Sequence, residues 1–171
     1  MAGPGITFEE RAPGGRADLA AVLAESFSGI YLWHARRILF SGATVLAALR
    51  GEVPAGLVMV KTLTPVTGYV YYVAVAAGER QRGTGGLLLD EAITMLTARG
   101  SSTILACITR ANVPSERLMS SRGFLPVTFR DLRRRFGALA AVRLWMGMTV
   151  APGETVTMRQ AAAAERADYG R

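Results

Sequence analysis

The spacing of apolar residues changes several times along the chain, and each change marks the border of a predicted element. Short β-branched or aromatic runs are typical of strands, whereas apolar residues three and four positions apart are typical of helices. In chain order, the pattern predicts a strand at 6–10, helices at 18–26 and 30–40, strands at 44–49, 57–63 and 68–75, a helix from 87 to about 100, a strand at 103–109, a helix from Pro114 to Gly123, and a strand at 124–129.

The second and third predicted strands are antiparallel, and residues 50–54 join them. This connection contains Gly51 and Pro54, which are typical of turns, and it is longer than a two-residue hairpin loop.

After residue 129 the pattern becomes that of a long amphipathic helix. We expect one helix over 130–146, packed on the domain through Leu132, Phe136 and Leu139, then a last strand near 148–150 and a frayed helix or tail over 160–171. The apolar residues share one helical face: Leu132, Phe136, Leu139, Val142 and Met146. The arginines fall largely on other faces: Arg130, Arg133, Arg134 and Arg143.

The strand at 68–75 leads into a basic, glycine-rich turn at residues 80–86, and a helix follows. The first N–H groups of a helix have no intrahelical acceptor, and the helix dipole adds a partial positive charge there. Glycines allow a phosphate group to approach the backbone closely, and Arg80 and Arg82 add full charges. The sequence therefore predicts an anion site at this turn.

The turn does not match two common phosphate-binding motifs. It lacks the Gly-Lys-Ser/Thr of an ATP-binding loop and the third glycine of a dinucleotide-binding turn. It fits Arg-x-x-Gly-x-Gly through Arg80, Gly83 and Gly85, and a second segment runs from Asn112 through a short helix to a Gly-Phe pair ending at Phe124. In order and separation, these segments resemble the acetyl-CoA signature of the GNAT superfamily of N-acyltransferases, over roughly the middle third of the chain.

This resemblance implies an α/β fold with a mixed, mostly antiparallel sheet flanked by helices, in one domain over 1–171. The predicted helix at 130–146 would be an insertion before the last strand. Two central strands of the family splay apart, and the pantetheine arm of acetyl-CoA lies between them. The residues that the resemblance assigns to acetyl-CoA are Val73, Val75, Arg80, Gln81, Arg82, Gly83, Thr84, Gly85, Gly86, Asn112 and Ser115.

The resemblance also implies direct attack of an amine on the thioester, but two of the family's acid–base positions differ here. The tyrosine that is proposed to protonate the departing thiolate in many relatives corresponds to Met119, which has no proton to give. The glutamate base of some relatives corresponds to Cys107. The catalytic residues are therefore unknown from the sequence, and the candidates are His34, Tyr72 and Cys107. Each also has a structural interpretation: His34 as a partly exposed helix residue, Tyr72 as a sheet-packing residue and Cys107 as a small core residue.

Composition narrows the choice of partners. The 171 residues carry a formal net charge of +7, which suits a polyanionic ligand and would equally suit nucleic acid or anionic lipid. We expect no nucleic acid, because the chain has no basic and aromatic RNA-binding signature. No apolar run reaches the length of a membrane span and no secretory signal is evident, so we expect no transmembrane segment. The single cysteine favours the cytoplasm. No metal is expected.

Two functional hypotheses follow. The favoured one is an acetyl-CoA-dependent N-acetyltransferase that acts on a primary amine. The alternative is a catalytically silent acetyl-CoA sensor that contacts a partner through the helix at 130–146. The sequence does not distinguish a small amine, a lysine or a protein N-terminus as the acceptor, and it leaves a homodimer open.

Overall fold

The computed structural model describes residues 5–161. The helices are α1 (Leu19–Ser26), α2 (Gly29–Leu39), α3 (Thr84–Ala98), α4 (Val113–Ser120), α5 (Phe129–Phe136) and α6 (Ala138–Met148). The strands are β1 (Ile6–Glu10), β2 (Thr44–Arg50), β3 (Val53–Thr64), β4 (Thr67–Val75), β5 (Thr103–Thr109), β6 (Leu125–Pro126) and β7 (Glu154–Gln160). Within residues 5–161, no helix has the length and apolar content that crossing a bilayer requires.

The strands form one seven-stranded sheet in the order β1-β2-β3-β4-β5-β7-β6. The pairs β1–β2, β2–β3, β5–β7 and β6–β7 are antiparallel, whereas β4 and β5 pair in parallel from Thr67 opposite Thr103 to Val70 opposite Ala106. The predicted mixed, mostly antiparallel sheet is confirmed.

Backbone contacts group the described residues into two compact units. Unit 1 comprises residues 5–61 and 71–93, and unit 2 comprises residues 62–70 and 94–161. The expectation of a single domain over 1–171 stays a prediction.

In unit 1, helices α1 and α2 bury apolar residues, among them Leu19, Leu23 and Leu39, against a core that includes residues of β2 and β3. Arg16, only 4 % exposed, is also buried. It donates from Nε to the Arg11 carbonyl (2.9 Å), from Nη1 to the Leu39 carbonyl (2.6 Å) and from Nη2 to the Ala43 carbonyl (3.1 Å). These bonds satisfy the charged side chain, so a buried guanidinium is tolerated.

The connection between β2 and β3 is shorter than predicted. Arg50 pairs with Val53, so only Gly51 and Glu52 lie between the strands, and Gly51 has φ +64°. Pro54 belongs to β3, close to a register shift between Ala48 and Leu49 of β2. The expected five-residue loop was wrong, because a left-handed glycine permits a tighter turn.

Unit 2 departs from the prediction after Phe124. The predicted strand at 124–129 is reduced to β6, because α5 already begins at Phe129. Thr128 caps α5 by accepting from the Asp131 N–H (3.2 Å), and the Asp131 carboxylate accepts from the Thr128 N–H (2.8 Å). This reciprocal capping fixes the start of a helix where the apolar pattern suggested a strand.

The single helix expected over 130–146 is two helices, α5 and α6, separated by Gly137 with φ +82° and ψ 163°. Leu132 is buried as predicted, and Phe136 is half-buried. The expected packing of Leu139 was wrong, because its side chain is 65 % exposed. Val142 and Met146, which share its helical face, are exposed as well. Helix α6 instead buries Ala141, Leu144 and Met148.

The last strand is also further along the chain than predicted. Helix α6 continues to Met148 and ends at the left-handed residue Thr149, so no strand forms at 148–150. Strand β7 follows at Glu154–Gln160 and pairs with the full length of β5. Of the expected tail over 160–171, Gln160 is the last residue of β7, and residues 162–171 lie outside the described part of the chain.

Candidate functional site

The predicted anion turn, in unit 1, has the geometry of a helix start that faces a ligand. Strand β4 ends at Val75, a 3₁₀ turn covers Ala77–Glu79, and α3 begins at Thr84. The first bond of α3 runs from the Leu87 N–H to the Gly83 carbonyl (3.1 Å). The N–H groups of residues 84–86 precede this bond, and they therefore have no intrahelical acceptor.

Two residues of the turn adopt left-handed backbone conformations, Gln81 with φ +60° and Gly83 with φ +83°. A Cβ atom on Gly83 would meet no atom within 4 Å, so the space beside this glycine is open. Residues 80–83 are exposed. A non-glycine residue in this conformation costs about 1 kcal/mol or more, and such strain is common at ligand sites. These residues fit a phosphate group.

The end of α1 holds the turn in place. The Glu25 carboxylate accepts from the Ala77 N–H (2.7 Å), and the Ser26 hydroxyl donates to the Val75 carbonyl (3.3 Å). Arg80 donates from Nη2 to the Glu25 carbonyl (2.6 Å) and from Nε to the Val75 carbonyl (3.3 Å). Arg80 therefore fixes the turn through backbone carbonyl groups. Nothing in the sequence pattern indicated the role of Glu25.

A second set of charges lies on the same turn. Arg50 donates from Nε and Nη2 to the two carboxylate oxygens of Glu79, at 3.0 Å and 2.8 Å. The hydrogen bond from Arg50 lowers the pKa of Glu79, with smaller contributions from the charges of Arg50 and Arg82. The Arg82 side chain is 61 % exposed and touches Glu79 only at 3.4 Å. Arg82 is thus the arginine of the turn that projects most freely.

Two of the catalytic candidates meet in unit 1. His34 of α2 and Tyr72 of β4 are separated by 38 residues in the chain, and Nδ1 of the imidazole lies 2.7 Å from the Tyr72 hydroxyl. Phe27 packs edge-on against the Tyr72 ring with the centroids 5.0 Å apart. His34 and Tyr72 are both half-buried. The pair can therefore pass a proton between phenol and imidazole.

In unit 2, Asn112 is the N-cap of α4. Its side-chain oxygen accepts from the Ser115 N–H (3.3 Å), and the residue before it, Ala111, has φ +66°. The cap occupies the amide oxygen, and the exposed side-chain NH₂ is the donor group that a ligand could use. Asn112 and Ser115 are thus brought together by the cap.

A cavity of about 520 Å³ lies in unit 2 between elements that include β5, α4 and β7. Met119, which takes the place of the family's tyrosine, lines it and is only 7 % exposed. The other lining residues are Ile108, Val113, Glu116, Arg117, Ser120, Phe124, Pro126, Thr155 and Thr157. Met119 therefore acts as an apolar wall in a cavity of mixed polarity.

The third catalytic candidate, Cys107, belongs to unit 2. Burial raises the pKa of its thiol to about 11, and a hydrogen bond from Tyr69 opposes this shift. The thiolate is the reactive form of cysteine, so at neutral pH Cys107 is a neutral thiol and a poor nucleophile or base. Within the described residues, no three His, Cys, Asp or Glu side chains lie together in a way that could hold a metal ion.

Comparison with known proteins identifies the family. A sequence model described as "Acetyltransferase (GNAT) family" matches residues 17–124. Comparison with curated proteins gives no match.

Solved structures share the fold at low sequence identity. A protein of Desulfovibrio desulfuricans that is assigned to the GNAT family is 16 % identical, with a TM-score of 0.70 over 92 % of this chain and 100 % of the other. A GNAT family acetyltransferase from Elizabethkingia anophelis with acetyl-CoA bound is 13 % identical, with a TM-score of 0.68 over 91 % and 98 %. The PaiA N-acetyltransferase from Thermoplasma acidophilum in complex with coenzyme A is 13 % identical, with a TM-score of 0.68 over 92 % and 99 %.

The family match spans well over half of the chain, and the seven-stranded sheet is the fold of the solved relatives. The protein therefore belongs to the GNAT family of acetyltransferases.

Proposed function

We propose that this protein transfers the acetyl group of acetyl-CoA to a primary amine, which attacks the thioester directly. The observation that carries the proposal is the start of α3, where three N–H groups without intrahelical acceptors follow the open, left-handed Gly83. Such a helix start suits a pyrophosphate. The solved relatives support the ligand, since one contains acetyl-CoA and another coenzyme A.

In this proposal, the pyrophosphate lies on the backbone N–H groups of residues 81–86. Arg82, whose side chain is 61 % exposed, supplies a positive charge to it. Arg80 acts mainly by holding the turn, because its guanidinium is bonded to the carbonyl groups of Glu25 and Val75. The turn is therefore held in shape before the ligand arrives, which lowers the entropic cost of binding.

The rest of the cofactor uses other parts of the chain. The backbone groups of Val73 and Val75 line the pantetheine arm, and the side-chain NH₂ of Asn112 donates to it while the amide oxygen caps α4. Ser115 contributes by giving its N–H to that cap. These assignments come from the family resemblance, and the capping geometry supports the one for Asn112.

In the reaction, the neutral amine nitrogen attacks the thioester carbonyl carbon, so that an N–C bond forms and the C–S bond breaks. The electron pair of the broken bond stays on sulfur, and because a thiol has a pKa of about 8.5, a thiolate leaves without an acid near it. The amine nitrogen loses one proton, and the thiolate later takes one from water. Most of the rate then comes from holding the two reactants together.

We propose that the Tyr72–His34 pair accepts the proton that the amine loses. The Tyr72 oxygen takes the proton from nitrogen while its own proton moves to Nδ1 of His34, 2.7 Å away, and the resulting imidazolium then releases a proton to solvent. A neutral imidazole is an effective proton acceptor in general base catalysis. Cys107 takes no part, because burial keeps its thiol protonated.

The test is release of the CoA thiol with a panel of amines, comparing wild type with Tyr72→Phe and His34→Gln. Each variant should lower kcat by about 10²–10³, with little change in the affinity for acetyl-CoA. The matched control is Tyr71→Phe, which removes the neighbouring hydroxyl from the opposite face of β4 and should keep kcat.

The outcomes separate the hypotheses. An unchanged kcat in Tyr72→Phe would refute the proton relay, while turnover itself would still support acetyl transfer. Calorimetric binding of acetyl-CoA without turnover of any amine would favour the silent sensor instead. We also propose the cytoplasm as the location, because the single cysteine cannot form an internal disulfide and suits a reducing compartment.

A further inference from the structure

Helix α6 is apolar on two opposite faces. One face is buried through Ala141, Leu144 and Met148. The opposite face exposes Leu139, Val142 and Met146, and the exposed residue Arg143 lies on it as well. The sequence of α6 contains no acidic residue. A helix that is apolar on all faces is normally buried on all sides. The exposed apolar face of α6 therefore indicates a contact with another apolar surface.

Helices α5 and α6 together carry several arginines. Helix α5 carries Arg130, Arg133, Arg134 and Arg135, with Asp131 as its one acidic residue, and Arg143 is the cation of α6. The Asp131 carboxylate already accepts hydrogen bonds from the N–H and the hydroxyl of Thr128, the N-cap of α5. Within residues 5–161, the salt bridges shorter than 4.0 Å all involve other arginines. The two helices therefore carry a net charge of +4 that no close carboxylate of the described chain neutralises.

The two helices form an antiparallel hairpin. Phe129, the first residue of α5, packs edge-on against Trp145 near the end of α6, with the ring centroids 5.5 Å apart. The chain reverses at Gly137, so the last turn of α5 lies at the same end of the hairpin as the first turn of α6. Arg133 and Arg134 therefore belong to the end where Leu139 begins the exposed apolar face. Apolar and cationic groups therefore lie at the same end of the hairpin, and Arg143 adds a charge on the exposed face of α6 itself.

We propose that the α5–α6 hairpin is a peripheral docking surface for a membrane that contains anionic lipid. Arginine side chains pair with lipid phosphate groups, while leucine, valine and methionine enter the boundary between headgroups and acyl chains. This inference is independent of the proposed acetyl transfer, and it gives a role to the two helices between β6 and β7.

The charge and shape of the hairpin favour a lipid surface over other occupants. A second copy of this surface would place two sets of arginines against each other, which is unfavourable. An acidic amphipathic helix docks best in an apolar groove, whereas the exposed face of α6 is the convex side of a single helix. The cavity described in unit 2 includes no residue of α5 or α6. Nucleic acid would not use the exposed aliphatic side chains.

The experiment is co-sedimentation of the full chain with vesicles of phosphatidylcholine and phosphatidylglycerol, and with vesicles of phosphatidylcholine alone. We expect binding to the anionic vesicles only, weakened by salt. Arg133→Gln with Arg134→Gln should lower the partition coefficient roughly thirtyfold, since each arginine contributes about fivefold at an anionic surface. Leu139→Ser with Met146→Ser should lower it at least about tenfold, because both side chains lose apolar contact with the lipid.

The matched controls come from α2, which exposes Arg36, Arg37 and Ile30. Arg36→Gln with Arg37→Gln removes the same charge as the hairpin variant but should change binding by less than about threefold, and Ile30→Ser should have no effect. Circular dichroism establishes that each variant is folded.

Several results would overturn the proposal. The first is that the protein does not bind anionic vesicles. The second is that the α2 variants lose as much vesicle binding as the hairpin variants. The third is that the protein binds polyglutamate and not vesicles, which would indicate an acidic protein partner. A dimer in light scattering that dissociates with Leu139→Ser would show that the face is a contact between two copies of the chain.

Discussion

Three bonded arginines of unit 1 differ from two exposed arginines of the α5–α6 hairpin. In unit 1, Arg16 and Arg80 donate to backbone carbonyl groups, and Arg50 donates through two nitrogens to Glu79. In the hairpin, Arg133 and Arg143 are exposed and form none of the salt bridges within residues 5–161. The arginines of the first set are bonded within the fold, and those of the second are presented to solvent. A count of positive charges therefore says little about function until the bonding partners are known.

The same difference separates the apolar residues of α6. Leu144 is buried, whereas Leu139 is 65 % exposed, although both belong to one short helix. Removal of apolar area from water stabilises the fold only for the first of them. The exposed side chain of Leu139 is available to contact a ligand or a surface. The bonded arginines and the buried leucine therefore stabilise the fold, whereas the exposed arginines and the exposed leucine are available for interaction with a ligand or a surface.

The largest expected effect tests the bonded arginines. Arg16→Met should lower the free energy of unfolding by about 3–5 kcal/mol, because several carbonyl groups of a buried site lose a charged donor at once. Arg133→Met should change it by less than about 0.5 kcal/mol, since an exposed side chain without close partners contributes little. Urea unfolding measures both. Equal effects would remove the distinction between the two kinds of arginine.

The next effect tests the turn that Arg80 and Glu25 hold. Gly83→Asp should weaken acetyl-CoA binding at least about a hundredfold, because its carboxylate would face the pyrophosphate. Gly83→Asn is the control, since asparagine has nearly the same size, carries no charge and also tolerates the left-handed conformation. Calorimetry should find its affinity within several-fold of wild type. Similar affinities for the two variants would show that the pyrophosphate lies elsewhere.

The smallest effects test the burial of the hairpin. Phe136 is half-buried, so Phe136→Ala should cost about 2 kcal/mol, less than the 3–5 kcal/mol of a fully buried phenylalanine. Leu139→Ala should cost less than about 0.5 kcal/mol, because its side chain is exposed in the folded protein as well. Shifts in the urea midpoint measure both changes. A cost above about 2 kcal/mol for Leu139→Ala would mean that this face of α6 is covered in the free protein, which would contradict the proposed docking surface.

The sequence by itself determined the features that depend on neighbouring residues. Strand β5 has the predicted bounds, and α4 starts at a capping asparagine and is followed by the left-handed Gly123. The glycine-rich turn between β4 and α3 also lies where the sequence predicted it. These features follow from backbone conformations and capping bonds that span a few residues, so local sequence specifies them. The family resemblance rested on the same segments.

The tertiary structure alone decided the contacts between distant segments. His34 meets Tyr72 across 38 residues, and Glu25 accepts from Ala77 across 52. No local pattern encodes such distances, because they depend on how α1 and α2 pack against β4. The face of α6 that is buried was also undetermined by sequence, since apolar residues occur on both sides of that helix and periodicity cannot choose between them. The packing of α6 in the folded protein determined which face is buried, and Leu139, Val142 and Met146 remain in contact with water.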